Sequence, residues 1–441
     1  MRRRQFIKQV ARTAATVSAM SAFSADRVVG ANDRVNIALI GCGGRGVTVA
    51  RLMRQAPNVA YVAFCDVNDP SARSARQSLG AEGAETYKDF RRILERNDVH
   101  AVHVATPDHW HAMPTILACQ AGKDVYVEKP LGLTIREGRA MVEAARRSNR
   151  IVQTGMQHRS APHYKEVEDI IQSGQIGEVH FVHVWNYSTV YTAETPPADS
   201  DAPAGLDWDF YLGPAPKVPY NNLRFRTYRR FYDYSGGFIT DFGAHRLDSV
   251  HQVMHDDTPL TAMGVGGLYG PKSIVDTPNV LHVTYEYRNF VLTYEGIQLN
   301  GFGTGPRMPG GRIPYNGSPS GHDRPHGEAF YGTKGTIFSD RVGYEIFPGG
   351  RGATGEPKSI AGRDCTDLHA RNFIDCVRSR QRPVAEVETG HRSTIVPHLG
   401  NISYRIGGRK IRWDADKEQI PDDPQASALL ARQPRAPWNL V

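Results

Sequence analysis

The stretch that most constrains this chain runs from residue 35 to residue 66, which reads VNIALIGCGGRG, then an alternating helical run, then VAYVAFCD. An apolar strand, a glycine turn with Gly41, Gly43 and Gly46 in G-x-G-x-x-G spacing, a helix and a second strand ending in an acid make the opening βαβ unit of a dinucleotide-binding domain. Gly41 allows the tight turn, Gly43 lets a pyrophosphate approach bare backbone, and Gly46 lets the helix pack closely on the strand. Asp66 follows Gly46 by twenty residues, where a carboxylate accepts hydrogen bonds from the adenine ribose hydroxyls and repels a ribose phosphate. NAD is therefore expected over NADP. Arg45, inside the turn, weakens that preference because its side chain could reach a phosphate.

At 441 residues the chain exceeds the size at which one core keeps growing, so at least two domains are expected. The formal charge of +7 invites a nucleic-acid reading, but Arg2, Arg3, Arg4, Lys8 and Arg12 supply five of those charges and leave about +2 for the rest. With no basic stripe left to track a phosphate backbone, nucleic acid is excluded as a partner. No stretch reaches the roughly 18–20 apolar residues of a transmembrane helix. The first residues instead resemble a twin-arginine export signal. Arg3 and Arg4 precede Gln5, Phe6, Ile7 and Lys8, an Ala, Ser and Thr-rich middle follows, and Ala22 and Ser24 suit a signal peptidase. That route carries folded proteins, so the expectation is a periplasmic or otherwise exported protein with its dinucleotide tightly bound, membrane-associated if the signal is uncleaved. Five cysteines without a C-x-x-C pair fit separate thiols better than a disulfide framework, although a bridge from Cys365 to Cys376 stays open.

Strands alternate with helices through about residue 155, which argues for a mostly parallel sheet covered on both faces. Within it, residues 85–99 read as one helix with Phe90 and Leu94 on its apolar face. The carboxyl ends of its strands, where ligands bind, carry Thr106-Pro107, Glu128-Lys129-Pro130 and Gln157-His158. Beyond it the chain changes to an α+β pattern, with strands expected at 260–265, 281–287, 290–298 and 330–339, helices at 366–380 and 390–404, and a mostly antiparallel open sheet. Residues 195–224 are too long for an ordinary connection and read as an ordered active-site loop or a flexible cover. Residues 301–328 read as loop. The resulting division is a signal and linker over 1–30, a Rossmann domain over 31–155, a substrate and oligomerisation domain over 156–410, and a tail over 411–441 that lies along the surface or reaches a partner subunit.

Redox chemistry on a nicotinamide leaves the protein one task, to move the hydroxyl proton while hydride departs. Lys129 is placed for it, immediately after an apolar strand and between Glu128 and Pro130. Asp241 and His245, four apart behind Gly236 and Gly237, share one face if the segment is helical: the imidazole exchanges a proton near neutral pH and the carboxylate orients a hydroxyl or the ring. Aromatic residues from Trp208 to Tyr211 and from Tyr228 to Tyr234, interspersed with Arg224, Arg226, Arg229 and Arg230, suit a wall against a sugar ring, with Arg229, Tyr232 and Tyr234 the candidate contacts, and arginines there also fit an acidic sugar. His158 is a further candidate for the substrate. His251 and His255, and likewise His322 and His326, have ligand spacing but no third partner, so no metal is expected.

GCGGRG over 41–46, TPDHWH over 106–111, EKP over 128–130 and GGFITDFGAH over 236–245 together resemble the Gfo/Idh/MocA family of glucose-fructose oxidoreductase and inositol dehydrogenase. The resemblance implies a Rossmann domain followed by an α+β domain, a homodimer or homotetramer, and NAD-dependent oxidation of a sugar, polyol or glycoside. It implies that Lys129 is catalytic, that Glu128, Thr106 and Pro107 meet the cofactor, that Pro130 often follows a cis bond, and that Asp241 and His245 bind hydroxyls and exchange protons. Asp108 departs from the asparagine often found at its place. His111 fits a position beside the cofactor or behind it. Three alternatives to a simple dehydrogenase stay open: a glycoside hydrolase that uses bound NAD transiently through oxidation, elimination, water addition and re-reduction; a sugar-to-sugar oxidoreductase; and a non-catalytic carbohydrate-binding protein.

Overall fold

The computed structural model describes residues 34–189, 195–270, 272–300, 324–350 and 355–439; the proposed export signal and His322 lie outside them. The first sheet holds β1 (Val35–Ile40), β2 (Val59–Cys65), β3 (Glu85–Tyr87), β4 (Ala101–Val104), β5 (Asp124–Val127) and β6 (Val152–Thr154) in the order β3-β2-β1-β4-β5-β6. Every pairing in it is parallel. Period-two alternation splits β1 between two cores: Ile37 and Leu39 enter one, Ala38 and Ile40 the other. The strand order reverses between β1 and β4, which opens the ligand crevice beyond their carboxyl ends.

Residues 85–99 depart from the expected single helix. Glu85, Thr86 and Tyr87 pair with Ala63, Phe64 and Cys65, and helix is confined to Arg91–Leu94. The free edge of β2 offers unpaired backbone groups to a segment containing Thr and Tyr, and that pairing outweighs the helical pattern. The first core also extends past residue 155. Ala370, Phe373 and Ile374 of the helix Thr366–Ser379 pack with Leu39, Val49 and Phe64, so one face of the Rossmann sheet is closed by a helix from the far end of the chain.

The second sheet has nine strands in the order β14-β13-β12-β11-β7-β10-β9-β8-β15. They are β7 (Val179–Tyr187), β8 (Thr261–Gly267), β9 (Val280–Glu286), β10 (Val291–Ile297), β11 (His326–Gly332), β12 (Gly335–Asp340), β13 (Gly343–Pro348), β14 (Lys358–Ala361) and β15 (Ile411–Arg412). All its pairings are antiparallel except β7 with β10. The strand expected over 330–339 is two strands, because Gly332 pairs with Gly335 and closes a hairpin around Thr333 and Lys334. One face packs on the helices Ala244–Met254 and Val387–Arg405, through Leu281, Val283 and Tyr285 on the sheet and Leu247, Val250 and Leu399 on the helices. The other face leaves Met263 and Val265 exposed.

Residues 195–224 are ordered against the Rossmann domain. Leu206 bridges Asn68, the Asp69 amide donates to Gly205 O, and the Asp207 amide donates to Val67 O, while Asp207 caps the short helix Trp208–Leu212. The tail folds back on this segment rather than leaving the molecule. Trp438 stacks on Phe210 at 5.0 Å and meets Trp110 edge-on at 4.9 Å, and Arg435 donates to Gly213 O and to Asp209. The five cysteines are free and buried. Among the described residues, no helix is long and apolar enough to cross a membrane, and no group of three His, Cys, Asp or Glu converges on a metal position.

Candidate active site

A cavity of about 640 Å³ runs from the glycine turn and Asp66, past Thr106, Pro107 and His111, to Lys129, Asp241 and His245. The turn divides its glycines by function. Gly41 has φ +91°, and a Cβ there would lie 2.6 Å from the backbone of Ala105 and Thr106; a Cβ on Gly46 would lie 2.5 Å from Gly41 O. Both are glycines because the protein itself leaves no room. At Gly43 nothing lies within 4 Å of a Cβ position, so the bare backbone there faces the open cavity. Asp66 Oδ2 accepts from the Cys42 amide and Oδ1 from the Asn68 amide, each at 2.8 Å, which fixes the carboxylate at the cavity wall. Burial raises its proton affinity, and those two amides pull it back. Arg45 also lines the cavity, and its Nε donates to Glu128 Oε1 at 2.8 Å.

The loop that carries Lys129 is held from three sides. Pro130 O lies 2.7 Å from His111 Nδ1, the Leu131 amide donates to Thr394 Oγ1 at 3.1 Å, and Gly132 O lies 3.0 Å from His398 Nε2. His111 Nε2 also reaches Thr106 O at 2.9 Å, so one ring ties the two cofactor-side loops together. The Lys129–Pro130 bond is cis. Lys129 Nζ donates to Asp241 Oδ1 and, at 2.9 Å, to Asp241 O. Arg229 Nε lies 3.0 Å from Asp241 Oδ2. Burial disfavours the Asp241 charge, but the guanidinium of Arg229 and the ammonium of Lys129 outweigh it and hold the carboxyl at about 2.

Asp241 lies in the π-helical turn Ile239–Gly243 and His245 in the first turn of the α-helix Ala244–Met254. A π turn widens the spacing at the point where both side chains enter the cavity. Gly243 permits it, because a Cβ there would lie 2.9 Å from the Tyr294 ring. His245 is buried, its Nδ1 has no hydrogen-bond partner, and burial, reinforced by the Lys129 charge, drives its proton affinity well below the ordinary histidine value. Asp108 is buried against Ser235 Oγ at 2.6 Å, and burial raises its proton affinity.

Three sequence candidates stand elsewhere. His158 lies behind His245 with ring centroids 5.2 Å apart, stacks on Tyr164, and places Nδ1 2.9 Å from Ser249 Oγ; it supports the site from the core instead of lining the cavity. Tyr234 is fully buried among Tyr211, Phe231 and His109, because the aromatic run turns its ring into a core. Tyr232 faces a separate cavity, under the Arg405 guanidinium at 4.6 Å. The aromatic wall is formed by Phe210, Tyr211 and Tyr228, which belong to the expected aromatic runs, together with Phe225 of the ordered cover. The histidine pairs do not converge either: His251 meets Tyr287 OH at 2.8 Å, His255 meets Glu168 at 2.7 Å, and His326 contacts Arg246. Gln157, expected at a ligand-binding strand end but given no role, lines the cavity, and sequence reasoning missed Arg341 there. Arg341, in the turn between β12 and β13, carries no local signal at all.

The comparisons agree with this architecture. Residues 35–156 match the family model described as "Oxidoreductase family, NAD-binding Rossmann fold", and residues 162–289 and 358–440 match its companion, "Oxidoreductase family, C-terminal alpha/beta domain". The chain belongs to the Gfo/Idh/MocA oxidoreductase family. It is 35% identical over 170 residues to inositol 2-dehydrogenase 2 of Saccharopolyspora erythraea, covering 38% of this chain and 48% of that protein. It is 36% identical over 127 residues to a glycosyl hydrolase family 109 protein of the same organism, covering 27% of this chain and 28% of that one. The chain thus spans about half the length, or less, of these curated relatives. Its fold is similar to that of a levoglucosan dehydrogenase solved with NADH and levoglucosan, with TM-score 0.64, 17% identity, and 86% of this chain and 99% of the other covered.

Proposed function

We propose that this protein is an NAD-dependent oxidoreductase acting on a hydroxyl of a sugar, polyol or glycoside. The observation that carries the reading is that one cavity joins the bare backbone at Gly43 and the carboxylate of Asp66 to the Lys129, Asp241 and His245 cluster. Gly41, Gly43, Gly46 and Asp66 would hold the pyrophosphate and adenine ribose, and Thr106, Pro107, His111 and Glu128 would frame the other end. When bound, the nicotinamide accepts hydride from the carbon being oxidised and returns it in reverse. Lys129, aimed by its hydrogen bonds to Asp241, donates to the oxygen at that carbon and stabilises the negative charge that develops there. His245, neutral because it is buried beside that charge, accepts the hydroxyl proton. A weak base is sufficient, because the ammonium has already acidified the hydroxyl. The cover over residues 195–230 and the tail packed on it favour tight retention of the dinucleotide.

A tightly held dinucleotide also suits the NAD-recycling glycoside hydrolase, a reading that the likeness to a glycosyl hydrolase supports. One experiment separates the two. Full-length protein purified with its own dinucleotide is mixed with free sugars and aryl glycosides, without added nicotinamide, and reduced-nicotinamide absorbance is followed together with aglycone release. Reduction that stops after one turnover and resumes on adding a carbonyl acceptor is the expected result; continuous aglycone release without net reduction moves the assignment to the hydrolase.

The arginine pair and small-residue region of the N-terminus support export by the twin-arginine route to the periplasm, tested by whether residues 1–30 direct a folded reporter out of the cytoplasm. The exposed apolar residues of the second sheet support a homodimer or homotetramer, tested by light scattering.

A further inference from the structure

We propose that the substrate is a sugar acid, and that Arg341 is the residue that recognises its carboxylate. The inference rests on the oxidoreductase reading of the same cavity and concerns the wall beside His245. Arg341 reaches that wall from the turn between β12 and β13, so the second sheet contributes a cation directly to a cavity otherwise lined by the Rossmann crevice, its cover and the helical segment that carries Asp241 and His245. Its side chain is 22% exposed, and its ion pair is loose: Nε lies 3.5 Å from Asp364 Oδ2, and that nitrogen, although buried, makes no hydrogen bond. A guanidinium has five donors in a planar fork, and at this one the protein leaves most of that capacity unused.

The surroundings are richer in donors than in free acceptors. A hydroxyl donates as well as accepts, so a wall for a neutral polyol requires free acceptors. Beside His245 the carboxylate of Asp241 already receives Lys129 on one oxygen and Arg229 on the other. Gln157 Oε1 already receives Arg45 Nη2 at 3.4 Å, so what this side chain still offers is its NH2 group. Glu128 Oε2 and the His245 ring remain as acceptors, but the cationic and amide donors of Lys129, Arg229, Gln157 and Arg341 outnumber them, which favours a group that only accepts. Asp364 offsets part of the Arg341 charge, which suits a monoanionic carboxylate better than a phosphate dianion. The charge of Arg341 also contributes to holding down the proton affinity of His245, so a carboxylate seated on Arg341 strengthens that base at the moment substrate binds.

The test uses the full-length protein with its own dinucleotide and two readouts: binding by calorimetry and hydride transfer by single-turnover absorbance. The ligands are glucuronate and galacturonate, their neutral parents glucose and galactose, and glucose 6-phosphate. At least one uronate is expected to bind, and to be oxidised with a kcat/KM, roughly 10–100-fold better than its neutral parent. Arg341→Met should raise Kd and KM for that uronate by a similar factor with a smaller change in kcat, and Arg341→Lys, which keeps the charge without the fork, should recover part of the loss. If Arg341→Met does not fold, the Kd measured for Arg341→Lys carries the comparison. Neutral sugars oxidised as well as uronates, or an Arg341→Lys protein with unaltered uronate Kd, overturn the inference while leaving the oxidoreductase reading in place. Tightest binding by glucose 6-phosphate overturns it in favour of a phosphorylated sugar. Arg341-dependent uronate binding without reduction of the nicotinamide upholds the recognition site and removes the redox reading.

Discussion

Replacing Asp241 with Asn removes the one anion that Lys129 and Arg229 share while preserving the shape of the side chain. The carboxyl is held at about 2 against a free value of 3.8, which corresponds to about 2 kcal/mol of preference for its charged form in the folded protein. Asp241 is only 12% exposed at the side chain, so solvent screening takes little from that figure. We expect Asp241→Asn to lower the unfolding free energy by about 2–3 kcal/mol at pH 7, measured by urea denaturation of the full chain. The sign of the pH dependence follows from the direction of the shift. A carboxyl whose proton affinity is lowered by folding contributes stability that is fully present above its unfolded value, and loses it as pH falls towards its folded value. The gap between wild type and variant should therefore be constant from pH 8 to pH 5 and shrink to about half by pH 3. A gap below about 0.5 kcal/mol at pH 7, or one that widens as pH falls, would refute the claim that Asp241 is the counter-ion organising this cluster. The same variant should slow hydride transfer, since Lys129 loses the partner that aims it.

Lys129→Met should reduce the single-turnover rate by about a thousandfold or more while nucleotide stays bound; loss of binding with intact chemistry in reconstituted protein would remove its assignment. Gly43→Val should lower dinucleotide affinity with little change in the melting temperature of the nucleotide-free protein, whereas Gly41→Val should lower that melting temperature itself, because its Cβ meets backbone at 2.6 Å and its φ is +91°. Trp438→Ala should speed dinucleotide dissociation severalfold, read by displacement after dilution into an excess of competing nucleotide, because the ring holds Phe210 and Trp110 together over the cavity. An unchanged off-rate would show that the tail does not secure the cover.

Some of this protein is legible in its sequence because the relevant physics is local. A glycine turn between a strand and a helix needs its residues within one short window, so Gly41, Gly43, Gly46 and the acid closing the next strand declare the Rossmann unit. EKP and the Asp241, His245 pair are legible for the same reason, since each motif lies within a turn or two of backbone. Local patterning was least reliable where a neighbouring strand competed. Residues 85–87 joined the free edge of β2, and residues 330–339 divided at two glycines into a hairpin.

The tertiary structure decided everything that depends on long-range approach. Only the folded chain brings Asp241 from the second domain to Lys129 in the first, 112 positions away, and Arg229 to the other side of the same carboxylate. Only it turns Tyr234 into a core and Phe225 and Tyr228 towards the cavity, because a run of aromatics has no periodicity that separates inside from outside. It closes the Rossmann face with Phe373 and Ile374, lays Trp438 on Phe210, and delivers Arg341 to the cavity from a hairpin turn. The sequence alone thus determined the class of fold and the residues with chemical potential. Which of those residues meet, and with what charge, was decided by packing between segments a hundred or more positions apart, where no local pattern records the partner.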